Sequence, residues 1–221
     1  MRRLLVLRPE PGASATVERA RQKGLDAFAI PLFNVEPVEW EIPGSSRFEA
    51  LLLTSANAVH FGGEQLHRLR GLPAYAVGPA TADAAASAGL EIAAIGNRGL
   101  DELLKSIAPE LKLLHLCGQD RRSSTNASQE IVPVVVYRST PIDRPDLSAA
   151  AGSVAIIHSP RAGRRFAELV GDRGSITIVA ISPAAAEAVG AGWNEVESAP
   201  LPNDEALLAL AASLCDKPSA K

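Results

Sequence analysis

Residues 51–89 read LLLTSANAVHFGGEQLHRLRGLPAYAVGPATADAAASAG, and this stretch carries one pattern twice. The apolar run Leu51 to Leu53 ends in the polar turn Thr54-Ser55-Ala56-Asn57, and a helical pattern follows at once. The run Ala74 to Val77 ends in Gly78-Pro79-Ala80-Thr81, and an alanine-rich helical pattern follows again. Strand, turn, helix, twice over, predicts parallel strands covered by helices. Such turns set backbone N–H groups and hydroxyls at helix starts, where anions are favoured. In open α/β sheets ligands also sit there, beyond the carboxyl ends of the strands.

The pattern returns at a fixed distance. Ser55 and Ser159, Pro79 and Pro183, and the pairs Leu103-Leu104 and Leu207-Leu208 are each separated by 104 positions, in the same order. Internal repetition of this kind predicts two copies of one βα-type unit.

Working outward, strands are expected at Arg3–Arg8, Phe48–Thr54, Ala74–Val77, Ile92–Ile95, Leu113–Cys117, Val154–His158, Ile176–Ile181 and Glu195–Glu197. Helices are expected at Ala15–Lys23, Asn57–Leu69, Ala80–Ala88, Leu100–Ile107, Asp143–Ala151, Gly163–Val170, Ala184–Ala191 and Asp204–Leu214. Residues 121–128 read as a loop or a short helix, and the last five residues as a frayed tail. The strands are apolar runs without polar alternation, which suits sheets buried on both faces. Two further apolar runs, Ala27–Val38 and Ile131–Arg138, contain prolines and are poor central strands. Ala27–Val38 reads as a strand that runs on into a linker, and Ile131–Arg138 as its paired partner; the two flank an inserted middle section. The expected organisation is one discontinuous α/β domain, residues 1–35 and 139–221, with a second α/β domain, 36–138, inserted into it. A mobile-walled cleft between the two is expected.

Composition narrows the function. Net charge is −3, and no basic stripe marks a nucleic-acid surface. No run approaches the ~20 apolar residues of a membrane span. The apolar N-terminal run Leu4–Leu7 is too short for a signal-peptide core. Cys117 and Cys215 are far apart, and the four histidines do not cluster at ligand spacing, so no metal site or disulfide framework is expected. A soluble cytoplasmic protein with reduced thiols is the expectation from these readings. Dinucleotide, P-loop and nucleophile-elbow motifs are absent.

The candidate ligand-binding positions are therefore the strand-end turns: Thr54, Ser55, Ala56 and Asn57; Gly78, Ala80 and Thr81; Ser159; and Ser182, Ala184 and Ala185. Arg8 and Arg161 add cations suited to carboxylates or phosphates. The plain alternative is helix capping, and a cap can also face a ligand. His115 reads as a satisfied core residue. His158 reads as either cleft lining or ordinary packing. Tyr137, one of only two tyrosines, lies on a linker run where it either packs or overhangs the cleft.

The motifs TSANAVHF (54–61), YAVGPATADAAASAGL (75–90), LLHLCGQDRR (113–122), VVYRST (135–140), HSPRAGRRF (158–166) and PLPNDEALLALAASL (200–214), with the opening VLRP (6–9), together resemble the uroporphyrinogen-III synthase family. The resemblance implies two flavodoxin-like α/β domains, each a parallel sheet covered by helices, joined by a two-strand ladder. It implies a lyase of tetrapyrrole (haem and cobalamin) biosynthesis that acts without a cofactor. The implied substrate is hydroxymethylbilane, a linear tetrapyrrole with eight carboxylates, closed with inversion of its last ring and loss of water. It implies a transient contact with hydroxymethylbilane synthase, which makes that substrate. Tyr137 falls on the family's tyrosine and is the implied catalytic residue. Two departures stand out. The family's second-copy GPTTA is here Ser182-Pro183-Ala184-Ala185-Ala186, without the threonines, and the segment after Arg122 is short and serine-rich.

Two other functions share these features. A flavodoxin-like FMN protein would use similar turns, but 4% aromatic residues are few for sandwiching a flavin. A non-catalytic two-domain binding module would use a similar cleft.

Overall fold

The computed structural model describes residues 1–44, 47–97, 99–120 and 127–217. Most of the 121–128 segment, and the tail from 218, therefore lie outside the described residues. The chain divides into two compact units, Met1–Asn34 with Pro141–Lys221, and Val35–Thr140.

The first unit is built on β1 (Leu4–Val6), α1 (Gly12–Gln22) and β2 (Ala27–Ala29). It is completed late in the chain by β9 (Val154–Ile157), α6 (Pro160–Leu169), β10 (Thr177–Ala180), α7 (Pro183–Glu187), β11 (Glu195–Ser198) and α8 (Asp204–Cys215). Its sheet runs β11-β10-β9-β1-β2, all parallel. Leu4 and Val6 pack on one face with Val154, Ile156 and α8, while Leu5 and Leu7 pack on the other with Ala155, Ile157 and Phe166. Both faces are thus apolar, which is why the strands lack polar alternation. Gly24, at φ +80°, ends the first helical segment, and its N–H bonds the Arg21 carbonyl.

The second unit contains β4 (Ala50–Leu53), α2 (Ala56–His60), α3 (Gly63–His67), β5 (Ala74–Val77), α4 (Pro79–Ser87), β6 (Ile92–Gly96), α5 (Leu100–Lys105) and β7 (Lys112–Gly118). Its sheet also takes in β3 (Phe33–Pro37) and β8 (Glu130–Pro141), in the order β3-β8-β7-β4-β5-β6. From β8 to β6 every pairing is parallel. β3 and β8 are the two strands through which the chain passes between units. Their neighbouring backbone bonds, Ile142 N–H to Leu32 O and Val38 N–H to Val136 O, step in opposite directions, so this ladder is antiparallel.

Two sequence expectations need correction, and a third is sharpened. The helix expected over Asn57–Leu69 is two short helices, because Gly63 at φ +62° ends the first and restarts the chain. The helix expected over Asp143–Ala151 is only a 3₁₀ turn at Ser148–Ala150; Pro145 disfavours a helix there, and Asp146 accepts the Ser148 N–H in an Asx turn just before it. The run Ala27–Val38 does hold a strand that runs on into a linker. It breaks at Ile30–Leu32, around Pro31, into β2 of one sheet and β3 of the other.

The repeat has a structural meaning. β4, β5 and β6 hold the places in their sheet that β9, β10 and β11 hold in theirs, and β7 and β8 hold those of β1 and β2. The first unit is thus a circular permutation of the second. In chain order its sheet is 2-1-3-4-5, the flavodoxin order, with the reversal of strand order between β1 and β9. The matching place in the second unit lies between β7 and β4.

Candidate active site

Ligands of open α/β sheets sit where strand order reverses. Each unit gathers polar side chains at that place.

In the second unit, β4 ends at Leu53 and releases Thr54 and Ser55 at the carboxyl edge. Ser55 Oγ accepts the Asn57 N–H at 3.2 Å and so caps α2. Thr54 Oγ1 lies 3.0 Å from His115 Nε2 on the adjacent β7. His115 is 4% exposed and, as expected, is a satisfied core residue. Tyr137 lies on β8, half-buried, with its ring centroid 6.3 Å from that of Phe61. Burial raises its phenol pKa, which a hydrogen bond donated by Ser55 offsets only in part; the Cys117 and Asp120 side chains push the same way as burial. The phenol is therefore protonated at neutral pH, beside the hydroxyl of the Ser55 cap. Gly78 takes φ +85°, where a side chain would be strained, and opens α4. Ala80 is exposed on its first turn, whereas Thr81 is 5% exposed and faces inward.

In the first unit, Arg8 follows β1 and His158 follows β9. Arg8 Nη1 lies 3.2 Å from both carboxylate oxygens of Asp204 and 3.3 Å from Thr16 Oγ1. Arg19 also bonds Asp204, and His158 Nε2 lies 3.1 Å from its Oδ1. Burial alone would raise the Asp204 carboxyl. The hydrogen bond and charge of His158, the Arg8 cation and the Thr16 hydroxyl overcome this and hold it well below the usual carboxylate range. Burial lowers the His158 pKa, against the pull of Asp204 and with the push of Arg8, so the imidazole is neutral at pH 7 and donates from Nε2. His158 is thus largely buried and bonded to Asp204.

Ser159 Oγ accepts the Ala162 N–H at 3.2 Å, and the Arg161 guanidinium lies 4.4 Å over the Phe33 ring. Ser182 Oγ caps α7 through the Ala185 N–H at 3.4 Å. Ala184 is exposed, but Ala185 is fully buried and its N–H already serves the cap. Ala185 therefore presents neither side chain nor free amide at the edge.

A model of the family described as uroporphyrinogen-III synthase HemD matches residues 14–209, nearly the whole chain. The chain belongs to the uroporphyrinogen-III synthase family. A family member from Chlorobaculum parvum is 30% identical over 90 residues, which is 37% of each chain. Among solved structures of family members, the uroporphyrinogen-III synthetase of Helicobacter pylori aligns with a TM-score of 0.67 at 20% identity, over 97% of this chain and 100% of that one. A mutant uroporphyrinogen III synthase of Thermus thermophilus aligns with a TM-score of 0.53 at 15% identity, again over 97% and 100%. At those identities the likeness speaks for the fold.

Sequence reasoning missed Asp204, Thr16, Arg19 and Gly118. Asp204 stands on the first turn of α8, behind the Asn203 cap, and is also the hub of the Arg8 cluster. No helix among the described residues is long and apolar enough to cross a membrane.

Proposed function

We propose that the chain is a uroporphyrinogen-III synthase: a lyase that closes hydroxymethylbilane with inversion of the terminal pyrrole ring and loss of water. The family match over residues 14–209 carries this reading, and the protonated Tyr137 phenol beside Ser55 supports it.

Expulsion of the hydroxymethyl oxygen by the pyrrole nitrogen gives an azafulvene cation. The substituted carbon of the terminal ring attacks it, giving a spiro intermediate that fragments and recloses with that ring inverted. One proton leaves the carbon skeleton and one water leaves the bilane, so no cofactor or net proton from the protein is needed. Tyr137 donates a hydrogen bond to the departing oxygen, which lowers the barrier to its loss. The rest of the task is positioning, because ring closure without inversion competes.

The substrate's carboxylates suit the helix starts. A serine cap accepts an N–H with a lone pair and keeps its own O–H to donate. Ser159 and Ser182 can therefore cap and bind at once, while Ser55 caps α2 and donates its O–H to the Tyr137 oxygen, leaving the phenol proton free. Thr54, the side-chain amide of Asn57, the backbone amides of Ala56, Ala80, Thr81, Arg161 and Ala184, the Gly78 turn, and the Arg8 and Arg161 cations complete the proposed set. A monomer in the cytoplasm, receiving its unstable substrate in transient contact with hydroxymethylbilane synthase, accords with this chemistry.

The test is product analysis. Hydroxymethylbilane is generated in the presence of the protein, and the oxidised porphyrins are separated. Predominant isomer III is expected; isomer I at the no-enzyme level, from folded protein, would overturn the reading.

A further inference from the structure

Tyr137 reaches its place through an irregularity in β8. Successive side chains of a strand point to opposite faces. Val132, Val134 and Val136 pack on the face shared with Leu114 and Leu116, and Ile131 packs on the other face with Leu113. Unbroken alternation would send Tyr137 to the Ile131 face. It packs instead with Val136, on the face that carries α2 and Phe61. The reason is a register shift between β7 and β8. Cys117 pairs with Val135, but the next residue, Gly118, pairs with Tyr137. One extra residue on β8 resets the alternation, as a β-bulge does.

The shift sets the aromatic ring directly over Gly118. A β-carbon built there would lie 2.6 Å from Tyr137 Cζ, 2.7 Å from Cε2 and 2.9 Å from the phenol oxygen. Gly118 lies outside the left-handed region, so glycine is needed for space and not for backbone freedom. The ring occupies the volume of the missing side chain, and its hydroxyl is thereby held across the carboxyl ends of β7 and β4, against Ser55.

We propose that Gly118, together with the register shift opposite it, is the positioning device for the Tyr137 hydroxyl, and that any side chain at 118 displaces the phenol from Ser55 and slows isomer III formation. The effect on turnover rests on the role proposed for Tyr137; the effect on ring placement does not.

The experiment introduces Gly118→Ala with two readouts. The first is ultraviolet titration of the phenol in a Tyr75→Phe background, where Tyr137 is the only tyrosine. The raised phenol pKa should move toward the ordinary value as the ring leaves its slot. The second is isomer III turnover. Gly118→Ala should lower kcat by roughly tenfold to a hundredfold with little change in KM. In a Tyr137→Phe background the same substitution should cost almost nothing further.

An unchanged titration with unchanged turnover overturns the proposal. So does an equal loss of rate in both backgrounds, which would mean that Gly118 acts other than through the hydroxyl. If Gly118→Ala does not fold, adding Tyr137→Ala decides the matter: recovery of a folded protein supports the steric pairing, and failure to recover overturns it. A wild-type protein that forms only isomer I removes the proposed function, and the titration alone then decides the placement.

Discussion

The Asp204 carboxylate, at the start of α8, lies 3.2 Å from the guanidinium of Arg8, which follows β1, although 196 positions separate them in the chain. The pair ties the last helix to the first strand of one unit, with His158, Thr16 and Arg19 on the same carboxylate. Asp204→Asn should lower the free energy of unfolding at neutral pH by about 1–3 kcal/mol, read from urea titrations. The folded carboxyl lies below its unfolded value of about 3.9, so its stabilisation is fully present above that pH and is lost as pH falls toward the folded value. The deficit of the variant should therefore shrink below about pH 4. A deficit that stays constant into strong acid would assign the effect to packing.

Thr54 and His115 make a narrower prediction. The hydroxyl sits 3.0 Å from a buried imidazole, so Thr54→Val should cost about 1–2 kcal/mol in thermal or urea denaturation. Thr54→Ser keeps the hydroxyl and should recover most of that stability. If Thr54 also binds a substrate carboxylate, Thr54→Val raises KM for the bilane as well.

Tyr137→Phe should slow isomer III formation at least about tenfold while leaving the melting temperature nearly unchanged. The phenol is held above its ordinary pKa, so the protonated form persists past about pH 10. Any alkaline loss of wild-type rate that comes from this group should therefore appear only above that pH, and should vanish in the phenylalanine variant.

Both cysteines are sealed inside the fold. Cys117 is 1% exposed and Cys215 fully buried, and burial pushes the Cys215 thiol up to about 11. A thiol reagent at neutral pH should label neither in the native protein and both after denaturation. Rapid native labelling of one would show that its strand or helix opens locally.

Ser182 offers a test of the second-copy turn. Its hydroxyl caps α7, so Ser182→Ala should cost about 1 kcal/mol. Ala184 is exposed beside it, and Ala184→Thr restores a hydroxyl where the chain departs from the family's GPTTA pattern. A lowered KM in that variant, at unchanged stability, would place a substrate carboxylate at this turn.

Much of the fold could be read from local chemistry. Ser55, Ser159, Ser182 and Asn203 each announce a helix start and each caps one. The 104-residue repeat marks elements that do take matching places in their sheets. The split at Pro31 could be read only as a strand running on into a linker, because whether two halves of an apolar run join one sheet or two depends on distant partners. The Arg8 cluster was half visible: Arg8 was a candidate cation, but its partner Asp204 resembles any acidic residue on a first helical turn. Tyr137 could be singled out on the resemblance, whereas Gly118 could not, since a glycine ending an apolar run signals a turn and only the register shift reveals the ring lying over it.

The permuted order of strands bears on synthesis. Strands β4 to β8 emerge from the ribosome in sequence, so the middle sheet can assemble while translation continues. The first strand, β1, must instead wait for β9, since Leu4 pairs with Val154. Until then its fully apolar faces have no complete partner, and loop closure over such a span is slow. A nascent chain that has emerged as far as residue 141 would thus display a finished domain on an unfinished one, and the exposed Leu4–Leu7 strand is the segment that chaperones would need to shield.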